Sequence, residues 1–168
     1  TQKELHANSP RKDVFAFIEK ELKDILPILP SGTTYAKFTQ NVANTLLARL
    51  YLNAEVYTGT PRWQDCLDAC SKVQGYSLTP NYKASFAIQN EKSPEIIFSI
   101  PYDHKQGTVG NYLASMTYHY NQKLAFDPAG VYQWCGNGIC AQPGLYSSFD
   151  EKDVRRQCLL IGQQYSAK

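Results

Sequence analysis

The sequence contains no apolar run approaching the roughly 18–20 residues that a membrane-spanning helix needs, so the chain is expected to fold in water. It has no block of like charge either. Lys and Arg number 17 against 15 Asp and Glu, and the two signs are interspersed. That pattern offers no basic stripe for a polyanion and no basic face for a membrane surface, which excludes nucleic acid as an expected partner. The opening residues Thr-Gln-Lys-Glu-Leu-His hold no initiator methionine, no signal-peptide apolar core and no lipid-attachment cysteine, so the chain reads as trimmed. No Gly-x-Ser-x-Gly turn, Walker loop, His-Glu-x-x-His helix or dinucleotide fingerprint occurs. Without a nucleophile, base or cofactor motif, no catalytic residue, cofactor or metal is expected.

Cysteine is present but poorly arranged for chemistry. Five thiols (Cys66, Cys70, Cys135, Cys140, Cys158) are an odd number, so at least one has no partner within the chain. Cys66 and Cys70 would share a helix face with Cβ atoms about 5–6 Å apart, too far for a good disulfide. His6, His104 and His119 supply no matching zinc spacing. The two thiols are therefore expected to pack as small hydrophobes. Cys135 and Cys140 enclose Gly-Asn-Gly-Ile, which is flexible enough for the sulfurs to meet. A bridge there is a candidate disulfide in an extracytoplasmic setting and not in a reducing one. It would contribute about 2 kcal/mol through chain entropy and would mainly fix the loop's shape.

What the chain does have is aromatic residues, 12 Tyr, 7 Phe and 2 Trp. Residues 10–25 carry Val14, Phe15, Ile18, Leu22 and Ile25 at helical spacing, with Ser9 as N-cap, Pro10 in the first turn and Pro27 as the stop. Residues 39–58 form the strongest helical pattern, with Ala43, Leu47, Leu50, Ala54 and Tyr57 on one stripe and Val42, Leu46 and Val56 on another, as in a helix packed on two sides. Gly59 and Pro61 separate it from a helix over residues 61–73, whose inward face is expected to carry Trp63, Leu67 and Cys70 on one line with Cys66 adjacent. Gly75 is its stop. The pair, residues 39–73, is 35 residues long, close to the roughly 34 of a tetratricopeptide unit, and Leu47-Ala48 with Tyr51 matches that repeat's Leu-Gly-x-x-Tyr.

Beyond Gly75 the texture breaks up. Residues 95–100, Glu-Ile-Ile-Phe-Ser-Ile, read as a short strand. Residues 121–144 show no period, and a long irregular stretch inside a domain points to function. Ser148-Phe149-Asp150-Glu151 reads as a capping box opening a last helix, whose dipole would account for the acidic cluster Asp150, Glu151 and Asp153 without catalysis. Aromatics in the irregular part, among them Tyr112, Tyr118, Tyr120 and Trp134, alternate with Asn111, Asn121 and Asn137. Sugar binding requires that mixture of flat apolar faces and amide or carboxylate rims. Composition alone favours the plainer reading, aromatics closing a loop over a core.

The stretches NTLLARLYLNAEVYTGTPRWQDCLDAC, SPEIIFSIPYD, GNYLASMTYHYNQ and WCGNGICAQPGLYSSFDEKDVRR, in that order, resemble the SusD/RagB family of outer-membrane glycan-binding lipoproteins of Bacteroidetes. The resemblance runs over residues 34–168. It implies a mainly α fold, tetratricopeptide-like helix pairs with extended irregular loop regions, of which this chain would be a single portion of a larger domain. Residues 10–74 would be the helical scaffold, 75–147 a loop-rich ligand region and 148–168 a further helix. The implied role is non-catalytic capture of oligosaccharide or polysaccharide, starch among them, at the cell surface. The captured glycan would pass to a SusC-like TonB-dependent transporter, with membrane attachment only through a lipid anchor that this chain lacks. Trp134 carries over as the main ligand-binding ring, followed by Tyr112, Tyr118 and Tyr120, with Asn137 beside them. A core shared with other portions would leave apolar helix faces open around Leu46 and Val42. The alternative is a helical-repeat adaptor that binds a protein partner in its groove.

Overall fold

The computed structural model describes residues 7–87, 89–101, 113–119 and 136–163. The chain divides into two compact units, residues 1–101 and 102–168. It is mainly α, and no strand occurs among the described residues.

In the first unit α1 (Arg11–Ile25) is an amphipathic helix whose Phe15 and Leu22, two turns apart, are buried. Each contributes about 1.5–3 kcal/mol of apolar burial. Pro10, not Ser9, takes the N-cap position. Its extended backbone aims the carbonyl at the amides of Asp13 and Val14, 3.0 and 3.2 Å away, and no side chain caps the helix. On the outer face Lys20 pairs with Asp24, while Lys23 pairs at 2.5 Å with Glu19, which is half-buried. Pro27 then confines the chain to the short 3₁₀ turn Leu26–Ile28.

The expected long helix is two, α2 (Gln40–Leu52) and α3 (Ala54–Thr58), separated at Asn53, whose ψ of 8° leaves the helical well. The Asn53 side chain donates back to the Arg49 carbonyl at 2.9 Å, a local bond that competes with helix propagation. Gly59 closes α3 in the left-handed conformation, φ 79°, with its amide on the Glu55 carbonyl at 2.8 Å, as glycine is suited to do. The helix α4 (Trp63–Ser71) packs mainly on α2. Small residues lie at the centre of this unit: Ala43 and Ala54 are fully buried, and Ala48 and Ala69 nearly so. Leu47, Ala48 and Tyr51, the repeat-like positions, all lie in this core.

The inward line of α4 is Cys66 and Ala69. Trp63 is 50% exposed, Leu67 63% exposed, and Cys70 exposed. The face of α4 turned to the core is narrow, and its bulky residues lie outside it. Of the two thiols expected to pack, only Cys66 does so. The second stripe of α2 also divides, because Val42 is buried while Leu46 opens onto an apolar groove of about 520 Å³ beside Val14, Ile18, Leu50 and Tyr57.

Residues 76–101 are held by side chains. Glu95 accepts from the Thr79 hydroxyl at 2.7 Å, the Thr79 amide at 3.2 Å and Ser85 at 3.2 Å. The expected strand at residues 95–100 has no ladder partner among the described residues, and these bonds fix the segment instead.

Among its described residues the second unit contains α5 (Leu113–Thr117) and two 3₁₀ turns, Tyr146–Ser148 and Val154–Cys158. The expected last helix is only this latter turn. Ser148 Oγ donates to the Leu145 carbonyl at 2.6 Å instead of accepting at a helix start, so no capping box forms. No helix among the described residues is long and apolar enough to cross a membrane.

Candidate functional site

The second unit brings together two of the residues singled out in the sequence. The amide of Asn137 donates to the Tyr118 carbonyl at 2.9 Å, and the amides of Gly138 and Ile139 reach the Met116 carbonyl at 2.8 and 3.0 Å. The stretch after Trp134 is thus tied to the end of α5. Asn137 adopts φ 44°, a left-handed conformation that asparagine tolerates better than most residues. Met116 lies over Gly138, where a Cβ would come within 2.1 Å of its terminal methyl. Tyr118 and His119 are half-buried, and the Asn137 side chain is exposed. The contact between Tyr118 and Asn137 is made by their backbones, and an aromatic ring and an exposed amide are group types that can serve a polyol as apolar face and hydrogen-bonding edge. Trp134, Tyr112 and Tyr120 lie outside the described residues, as does Cys135. Cys140 is exposed.

The neighbouring turns carry two arginine–aromatic stacks, Arg156 over Tyr146 at 4.2 Å and Arg155 over Phe149 at 5.2 Å. Asp153 receives the Arg155 guanidinium at 2.9 Å and its amide at 2.9 Å. These bonds hold the Asp153 carboxyl down to about 2. Asp150 caps the Lys152 amide at 2.9 Å. The acidic cluster therefore closes turns, where the sequence suggested a helix dipole. A carboxyl held that low stays ionised at neutral pH and has no proton to give as a general acid. Among the described residues no three His, Cys, Asp or Glu side chains gather as metal ligands.

Two features of the first unit escaped the sequence reading. One is a polar node at Asn41, which is 6% exposed. Its side chain donates to the carbonyls of Gly32 and Gln74 at 3.1 and 3.0 Å and accepts from the Gln74 amide at 3.2 Å. The other is Tyr51, whose hydroxyl donates to Glu19 at 2.8 Å beneath the Arg62 guanidinium, 4.8 Å from the ring centre. Burial raises the Glu19 pKa, but hydrogen bonds from Lys23, Tyr51 and Arg62 outweigh it and leave the carboxyl below its ordinary value. No period in the sequence marks either node. The only signal available was an Asn and a Tyr standing on the apolar side of α2.

The first unit holds a packed helix pair and the second the Tyr118–Asn137 junction, in a chain that is mainly α. No family model matches the chain. It is similar to the starch-binding protein SusD of Bacteroides thetaiotaomicron, at 35% identity over 100 residues, covering 54% of this chain and 18% of that protein. The chain thus matches less than a fifth of that relative's length.

Proposed function

We propose that this chain is part of a surface glycan-binding protein of the SusD/RagB kind, which holds oligosaccharide or polysaccharide by stacking and hydrogen bonding and does not cleave it. The observation that carries the reading is the 35% identity over 100 residues to a protein named as starch-binding. The α2–α4 pair and the junction of Tyr118 with Asn137 are consistent with it, since ligand loops need a rigid scaffold. On this reading Trp134 is the principal stacking ring, Tyr112, Tyr118 and Tyr120 extend the aromatic surface, and Asn137 hydrogen-bonds sugar hydroxyls. Residues 10–74 act as scaffold and residues 75–147 carry the ligand loops, within one portion of a larger domain. The protein would sit on the outer face of the outer membrane through a lipid anchor and deliver glycan to a SusC-like transporter.

The test is calorimetric titration of the intact protein with soluble starch, other glucans and non-glucan polysaccharides, in wild type and Trp134→Ala. Wild type should bind at least one of them, and the variant should lose about tenfold or more, the scale of a lost aromatic anchor. A wild type that binds none of the panel overturns the reading. Unchanged affinity in the variant removes Trp134 from the site.

A further inference from the structure

The first unit contains a polar cleft that neither the helix core nor the Tyr118–Asn137 junction uses. Three segments distant in sequence enclose it: residues 33–36 after α1, Gly75 and Tyr76 after α4, and residues 91–99. Its volume is about 360 Å³, within the roughly 300–1,000 Å³ of small-molecule sites. The walls are fixed by their own bonds. Asn41 anchors the Gly32 and Gln74 backbone, the Ser77 amide donates to the Pro94 carbonyl at 3.0 Å, and the Tyr76 hydroxyl reaches the Ile97 carbonyl at 3.4 Å. Phe38 meets Phe98 edge-to-face at 6.0 Å behind them.

Three observations mark the cleft as a place for a ligand. Tyr35 lines it with 49% of its surface exposed, a ring that the core does not use. Ala36, beside it, holds φ 57°, a left-handed conformation that costs an alanine about 1–2 kcal/mol, and such strain gathers at ligand sites. Ser99 also lines the cleft, and its buried hydroxyl has no hydrogen-bond partner among the described residues, so this wall holds a polar group that the protein's own bonds leave unsatisfied. The rim adds the hydroxyl residues Thr33 and Thr34 and one charge of each sign, Glu91 and Lys92. Opposed charges give no net pull on an anion, and the polar lining does not suit a lipid. An aromatic face with hydroxyl, carboxylate and ammonium neighbours suits a neutral sugar.

We propose that this cleft is a second glycan subsite, in a different unit from the Tyr118–Asn137 loops, taking one or two neutral sugar residues with Tyr35 as the stacking face. It rests on the glycan-binding reading above. The experiment is titration of the intact protein with soluble starch and with maltoheptaose in wild type, Tyr35→Ala, Thr34→Val, Trp134→Ala and the Tyr35→Ala/Trp134→Ala double variant, with melting temperature as the folding control. Tyr35→Ala should weaken starch binding about three- to tenfold, the scale of one aromatic contact. It should also remove the binding that Trp134→Ala retains, and Thr34→Val should weaken starch binding about twofold without moving the melting temperature. If wild type binds but neither first-unit variant changes affinity in either background, the subsite is overturned and the glycan reading stands. A wild type that binds neither probe nor any other glycan overturns both.

Discussion

The backbone amide of Asn137 donates to the carbonyl of Tyr118 across 2.9 Å, closing the loop that follows Trp134 onto the end of α5. Asn137 does so at φ 44°, so the backbone geometry and the exposed amide side chain are separable by mutation. Asn137→Gly keeps the left-handed turn and deletes only the side chain. It should leave the melting temperature nearly unchanged and weaken starch binding severalfold. Asn137→Val forces a β-branched residue into that conformation at a cost of about 1–3 kcal/mol, and its melting temperature should fall. Equal affinity in wild type and the glycine variant would show that the side chain contacts no ligand.

Acid should loosen the first unit through Glu19. Its carboxyl lies below the ordinary 4.5 because the hydrogen bonds from Lys23, Tyr51 and Arg62 outweigh burial. A depressed carboxyl stabilises fully above its unfolded-chain value and loses that contribution as the pH falls through its folded value. Urea midpoints of wild type should therefore drop as the pH falls below the ordinary carboxylate range, and those of Glu19→Gln should drop less. Tyr51→Phe should cost about 1.5–3 kcal/mol at neutral pH, the scale of a hydrogen bond to a charged group, and much less once Glu19 is protonated. Parallel acid profiles for wild type and Glu19→Gln would remove Glu19 as the source.

Asn41 joins α2 to two backbone segments, which lead into two of the three walls of the polar cleft. Asn41→Ala leaves the Gln74 amide and two carbonyls without their partner at a buried site, a loss of about 2–4 kcal/mol. Asn41→Asp should be nearly as harmful, because a carboxylate cannot donate to the carbonyls of Gly32 and Gln74. Chemical denaturation measures the loss, and amide exchange at Gln74 should accelerate in both variants. Normal stability in Asn41→Asp would mean that the donor half of the node is dispensable.

These nodes explain how far the sequence could be read. Helical periodicity located α1, α2 and α4 because burying one stripe against neighbours is a repeating demand, and Leu47, Ala48 and Tyr51 lie in the core as the repeat pattern anticipates. The break at Asn53 and the end at Ser148 went the other way because single side-chain bonds decide them. On α4 residue size misled: Trp63 and Leu67 suggested a buried line, whereas Ala69 and the adjacent Cys66 face the core. Glu95 organises residues 76–101 with bonds that have no period. Of the proposed glycan contacts, Tyr118 and Asn137 are brought together by the fold, while the cleft at Tyr35 draws on segments up to about sixty residues apart that no local pattern connects.

The thiols offer a direct check on both units. Burial, followed by the neighbouring Cys70, raises the Cys66 pKa, so at neutral pH less of it is thiolate. Cys66 also packs against the core, whereas Cys70, Cys140 and Cys158 are exposed. Because the thiolate is the reactive form, alkylation of the reduced native protein followed by mass spectrometry should modify those three first and Cys66 severalfold more slowly. Mild denaturation should remove the difference. In protein purified under oxidising conditions, a Cys135–Cys140 bridge would withdraw Cys140 from the fast set while Cys70 and Cys158 stay in it. Rapid labelling of Cys140 in that sample would exclude the bridge, and Cys66 reacting as fast as Cys70 would contradict the packing of α4 on α2.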